Sequence, residues 1–109
     1  MAGSTVLDMA LDTGATYTLI PRGVAEELGC EPGLSLRKVS LMTASAVEAA
    51  PLVVMNRVHA LGVSALDVDV VCHDLPSGSR VKGLLGLSFL KHFDMDLYFR
   101  SRTLEARGQ

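Results

Sequence analysis

Residues 34–72 follow an extended pattern almost without interruption, and no other stretch limits the fold as strongly. Residues 36–42 form one β-prone run, and the small polar segment Thr43-Ala44-Ser45-Ala46 suits a hairpin tip. Residues 47–61 continue extended and are broken only by Pro51, where a bend is expected because proline cannot donate to a ladder. Gly62 turns the chain into residues 63–72. There Leu66, Val68 and Val70 alternate with Asp67 and Asp69, the pattern of a strand with one dry and one wet face. The flanking elements are shorter. Residues 6–11 read as a mostly buried strand and Tyr17-Thr18-Leu19-Ile20 as a second. Pro21 suits the first position of a helix over 22–28, where its missing N–H costs nothing, and Gly29 suits the C-terminal cap. After a surface loop over 74–82, Gly83-Leu84-Leu85-Gly86-Leu87 is strongly apolar, and Ser88 is placed to N-cap a short helix through His92. Residues 94–99 and 103–106 make a last hairpin joined by Arg100-Ser101-Arg102. The expectation is a mostly β domain, a small closed barrel or sandwich with one or two short helices.

At 109 residues the chain makes one domain, 1–109, able to bury roughly two-thirds of the surface its unfolded form exposes. Apolar residues make up 49% against 20% charged, mostly aliphatic and without Trp, so the interior is well supplied. A net charge of −2 offers no basic footprint for nucleic acid and no polybasic segment for an anionic membrane. No apolar run nears the roughly 20 residues that span a bilayer, and Met1 leads into Ala-Gly-Ser-Thr rather than into a basic and then apolar signal. The segment is therefore expected to contact neither nucleic acid nor membrane, as a cytoplasmic protein or the soluble domain of a longer one. Cys30 and Cys72 each lack a second Cys at short spacing, which excludes a disulfide scaffold or zinc knuckle and suits a reducing compartment. His59, His73 and His92 are scattered, so neither a metal nor another cofactor is expected. Gly83-Leu84-Leu85-Gly86 has the spacing of a nucleic-acid GxxG loop, but two leucines stand where basic residues belong. Residues 78–83 lack the spacing and the following hydroxyl of a phosphate loop. Asp8, Asp67, Asp69, Asp94 and Asp96 read as solvated strand positions, and Met9, Met42, Met55 and Met95 as core fillers.

Asp12 stands apart from the other acids. It ends the apolar run containing Val6, Leu7, Met9, Ala10 and Leu11, and Thr13 and Gly14 follow it. An ionised carboxylate is expensive to bury unless something pairs with it or shares its proton. A core strand that delivers an Asp straight into a Thr-Gly turn therefore marks an acid in use. Asp-Thr-Gly is also ordinary turn chemistry, so the triplet acquires weight only beside a second motif, Leu84-Leu85-Gly86 ahead of a short helix.

Together, "LDTGATYTLIPRGVAEELG" and "GLLGLSFLKHFDMDLYF" resemble the retropepsin-like aspartic proteases, single-domain relatives of pepsin that work as homodimers. The likeness extends over nearly the whole chain and is greater to the bacterial or cellular branch than to the retroviral one. It implies the closed barrel of that family and an aspartic endopeptidase acting on extended, hydrophobic peptide or protein segments. One carboxylate cannot act as general base and general acid in a single step, whereas two that share a proton can, because like charges about 3 Å apart do not both ionise. The chain has a single Asp-Thr-Gly, so the implied enzyme pairs Asp12 with its twin in a second copy. By the same resemblance Thr13 hydrogen-bonds across the two-fold axis, and Gly14 brings the backbone close to the dyad. Ala15, Leu84, Leu85 and Gly86 support the catalytic loop, Gly86 from beneath. Met42, Thr43, Ala44, Ser45, Ala46, Val47 and Glu48 become a flap that clamps the substrate strand to strand.

Three departures qualify the match. Retroviral members carry an Asp–Arg pair where this chain has Thr16 and Leu87, so both partners are missing together. The flap tip has no glycine. Only residues 1–5 precede the strand that ends at Asp12, where family members usually have another strand. The last two departures motivate an alternative, a module that kept the fold for dimerisation or peptide binding without catalysis.

Overall fold

Strand β5 (Val63–Cys72) organises the molecule, because its alternating side chains supply both faces of the sheet. The computed structural model describes residues 4–42, 45–98 and 103–108. Val68, Val70 and Cys72 face the larger core, with Ile20, Ala25, Leu85, Phe89 and Leu90. Val71 faces the other way, into a smaller cluster with Ala50 and Leu52 that Tyr17, Val39 and Leu41 partly cover. Val68 and Phe89 are fully buried, and each such side chain contributes about 1.5–3 kcal/mol of burial free energy.

The remaining elements are β1 (Met9–Leu11), β2 (Thr18–Ile20), α1 (Arg22–Glu27), β3 (Lys38–Met42), β4 (Val47–Ala60), β6 (Gly83–Leu85), α2 (Leu87–Leu90), β7 (Phe93–Tyr98) and β8 (Thr103–Gly108). Six strands form one sheet in the order β1-β6-β2-β5-β4-β3, and β7 pairs with β8 in a second, two-stranded sheet. The expected barrel is thus realised as a half-barrel with two short helices. Among the described residues β1 and β3 remain as edges, since β3 pairs only along residues 47–51 of β4.

Several local expectations hold for the reasons given. The N–H groups of Gly29 and Cys30 donate to the carbonyls of Glu26 and Ala25, a Schellman closure of α1 that needs the left-handed backbone of Gly29 (φ 83°). Leu61 and Gly62, both at positive φ, form the two-residue turn between β4 and β5. Pro51 lies inside β4, at the point where that strand passes from β3 to β5: Lys38 is its last partner in β3, and Leu52 is paired with Val71.

Other expectations fail. Residues 6–11 are not a mostly buried strand: β1 covers only Met9–Leu11, Val6 is 95% exposed, and an edge strand has a neighbour on one side only. The alternation in β5 breaks at Asp67, which adopts a left-handed conformation (φ 54°) and rotates the side chains that precede it. Ala65 is therefore buried while Leu66 faces solvent, and on the facing strand Asn56 and Arg57 are both exposed. Met42 is not a core filler but is 88% exposed on the hairpin, whereas Met9 and Met55 do pack on the core. Thr43, Ala44, and the Arg100-Ser101-Arg102 connection with Phe99 lie outside the described residues.

Candidate active site

Asp12 follows β1 directly, and the sheet positions it. Its N–H donates to the Leu85 carbonyl at 3.0 Å, extending the parallel β1–β6 pairing, in which Leu11 faces Leu85, by one more bond. The chain then folds back on itself. The Gly14 N–H donates to Asp12 Oδ1 at 2.9 Å, and the Ala15 N–H donates to the Asp12 carbonyl at 3.2 Å. This Asx turn orients the carboxylate through a charge-assisted bond. A side chain at position 14 would place its Cβ 3.3 Å from the same Oδ1, so glycine permits that approach. Asp12 is half-buried, Thr13 beside it is exposed, and among the described residues the second carboxylate oxygen takes no hydrogen bond. The carboxylate is thus held by one oxygen and presented by the other.

The apolar motif near the end of the chain lies beneath this turn. Asp12 and Ala15 are brought against Leu85 and Gly86, and Leu84 pairs with Ala10 just before the turn. At Gly86 a Cβ would lie against the carbonyl oxygens of Tyr17 and Ala15, the latter at 2.8 Å, so the two backbones are flush and no larger residue fits. The missing charge pair at Thr16 and Leu87 is matched by backbone bonds: the Leu87 N–H donates to the Ala15 carbonyl at 2.8 Å and the Ser88 N–H to the Thr16 carbonyl at 2.9 Å.

Two residues that sequence reasoning did not assign to the site complete the contact. Ser88 is not the N-cap of α2; Gly86 occupies that position, and its carbonyl accepts from Phe89 and Leu90. The Ser88 hydroxyl instead accepts the Thr18 N–H at 2.7 Å, and the Thr18 hydroxyl accepts the Gly86 N–H at 3.2 Å. Both side chains are buried. The available signal was one hydroxyl residue in each of two otherwise apolar segments, Thr18-Leu19-Ile20 and Ser88-Phe89-Leu90. A buried hydroxyl requires a partner.

The hairpin of β3 and β4 is built separately. Met42 pairs with Val47 and Leu41 with Glu48, and Ser45, Ala46, Val47 and Glu48 are all exposed. At its root the Ser35 hydroxyl donates to the carbonyls of Arg37 and Leu52, and the Arg37 guanidinium meets Asp69 at 3.3 Å. The larger concavity, about 560 Å³, is lined by Leu7, Val24, Leu75 and Lys82, near the start of the segment that Asp12 ends. A smaller one of about 270 Å³ lies at the hairpin root, between Arg22, Ala50, Pro51 and His73. Neither includes Asp12; in its turn Thr13 and Gly14 are exposed. Among the described residues no group of three or more His, Cys, Asp or Glu side chains gathers as a metal site, and no helix is long and apolar enough to cross a membrane.

Comparison with known proteins agrees with the arrangement of the two motifs. The family described as "gag-polyprotein putative aspartyl protease" matches residues 1–92. Neither the curated proteins nor the solved structures gave a match. The family match takes in Asp12, its turn and the Gly86 support beneath it, and the chain belongs to the gag-polyprotein aspartyl protease family.

Proposed function

We propose that the chain is an aspartic endopeptidase of the bacterial or cellular retropepsin type, in which two copies each contribute Asp12 to one catalytic pair. The observation that carries this reading is the presentation of Asp12: a half-buried carboxylate, oriented by Gly14 and, among the described residues, free at its other oxygen, on a turn whose Thr13 and Gly14 are exposed. One protomer therefore supplies half a site. In the pair one carboxylate activates water while the protonated one donates to the scissile carbonyl. The paired state needs one proton between two acids, so activity falls when both are charged and again when both are neutral, leaving an optimum on the acid side of neutral. Thr13 ties the two turns across the axis, and residues 42–48 close over an extended peptide. Exposed Met42 and Val47 on that hairpin, and Leu11 and Leu87 beside the turn, favour apolar substrate side chains.

The test is cleavage of a mixed peptide library from pH 3 to 8, at concentrations where sedimentation finds the dimer, with Asp12→Asn alongside. The expected result is cleavage by the wild type and a loss of at least about 10³-fold in the variant, with dimer and fold retained. Equal cleavage by the variant would overturn the assignment. A wild type that dimerises but cleaves nothing would instead favour a non-catalytic peptide-binding module, the reading that the glycine-free hairpin tip supports.

A further inference from the structure

We infer that Thr18 and Ser88 are positioning residues for Asp12: two buried hydrogen bonds, from the Thr18 N–H to the Ser88 hydroxyl and from the Gly86 N–H to the Thr18 hydroxyl, lock the far end of the catalytic turn to the corner between β6 and α2. Gly86 sits where the β6 ladder has ended and α2 has just begun, so its N–H has no intrahelical acceptor. The Thr18 hydroxyl supplies one at 3.2 Å, while the Ser88 hydroxyl accepts the Thr18 N–H at 2.7 Å. The carbonyls of residues 15 and 17 fill the space that a Cβ on Gly86 would need, so nothing can slip between the two backbones.

Segment 12–18 is consequently pinned at Asp12 to Leu85, at Ala15 and Thr16 to Leu87 and Ser88, and at Thr18 to Ser88 and Gly86. The Gly14 amide that orients the Asp12 carboxylate lies in that span, between the pins at Asp12 and Ala15. Releasing the Thr18 end lets the span shift, and displacements of about 1 Å can cost about 100-fold in rate. Valine would satisfy the packing at position 18 equally well, being β-branched and of the same shape. The hydroxyl oxygen is the only feature that threonine adds.

The rate arm of the test rests on the endopeptidase reading; the exchange arm does not. With the dimer saturated and well below its melting temperature, Thr18→Val, which removes only the acceptor, is expected to lower kcat by about tenfold or more with KM within about twofold. Thr18→Ser, which keeps the acceptor and loses a buried methyl, should stay within about threefold of wild type in kcat. A merely structural role predicts the reverse order, or losses in melting temperature alone. Amide hydrogen exchange decides the matter independently of activity. In the wild type the Thr18 and Gly86 amides should exchange as slowly as that of Val70, and Thr18→Val should accelerate Gly86 at least about tenfold without affecting Val70. Ser88→Ala should do the same to the Thr18 amide, and it stands in should Thr18→Val fail to fold. A wild type inactive on every peptide would defeat the endopeptidase reading and leave the exchange result to judge this one. Fast exchange at Thr18 and Gly86 in the wild type, or a Thr18→Val enzyme with wild-type kcat, overturns the inference.

Discussion

The Asp12 turn and the β3–β4 hairpin are both excursions from the same half-barrel, yet they are held in opposite ways. The turn is fixed on both sides of Thr13 and Gly14 by backbone bonds to Leu85, Leu87 and Ser88, by two buried hydroxyls and by a glycine with no room for a side chain. The hairpin is fastened at its root, by Ser35 and by the half-exposed Arg37–Asp69 pair, and past Leu41 it offers solvent the apolar side chains of Met42 and Val47. On the proposed function the difference suits a division of labour in which one part keeps a carboxylate in place and the other admits a chain and covers it.

Gly86→Ala should break the first half of this comparison outright. The added methyl meets backbone carbonyls rather than a side chain that can swing aside, so the turn and the β6–α2 corner must separate. A loss of about 3 kcal/mol is expected, at the upper end for overpacking, read as a fall in the urea midpoint together with loss of any peptide cleavage. An unchanged midpoint would show that the two backbones are not flush.

The same contrast explains what could be read from the chain beforehand. Features set by local chemistry were legible: Gly29 closing α1, Gly62 turning β4 into β5, and the Asp12 and Gly86 motifs that the fold brings together. What failed was decided by tertiary surroundings. Alternation predicts Leu66 inside, but Asp67 takes a left-handed conformation, which aspartate tolerates better than most residues, and the phase of the strand flips. Ser88 has the chemistry of an N-cap, yet Gly86 already sits there and the hydroxyl is used across the fold. Met42 looks like core filling only while the hairpin is assumed to lie against something.

Cys72 probes the ground under the hairpin root, since it ends β5 and lines the small hollow beside Ala50 and Pro51. Burial pushes its thiol up to about 11 from an ordinary 9.0, the neighbouring Cys30 adding to the effect and Arg22 opposing it. The unfolded chain therefore releases this proton first. Stability should be intact below about pH 9 and decline as pH rises toward about 11. Urea titrations at pH 8, 9.5 and 10.5 measure this, and Cys72→Ala should flatten the decline relative to wild type. A slope unchanged by that substitution would assign the effect elsewhere.

Arg37→Ala should cost less. The pair with Asp69 is 3.3 Å long and its arginine side chain is 57% exposed, so about 0.5 kcal/mol is expected, shrinking further in high salt. Asp69→Asn should cost about as much, and the double variant no more than either alone, because both remove one interaction. A cost near that of Gly86→Ala would mean that the hairpin root is as firmly built as the Asp12 turn.

The smallest effect on stability is expected at the hairpin's far end, and it sharpens the comparison most. Met42→Ser with Val47→Ser replaces two exposed apolar side chains whose burial contributes almost nothing to the isolated fold, so the urea midpoint should move by no more than about 0.5 kcal/mol. On the proposed function these side chains are covered only when a peptide lies beneath the hairpin. Each would then leave water in the complex and not before, and their loss should raise KM for apolar peptides by about tenfold while kcat stays within about twofold. That pattern is the inverse of the one expected for Thr18→Val. A double serine variant that lowered kcat and left KM alone would place Met42 and Val47 with the machinery that fixes Asp12, and the division between a rigid turn and a covering hairpin would not stand.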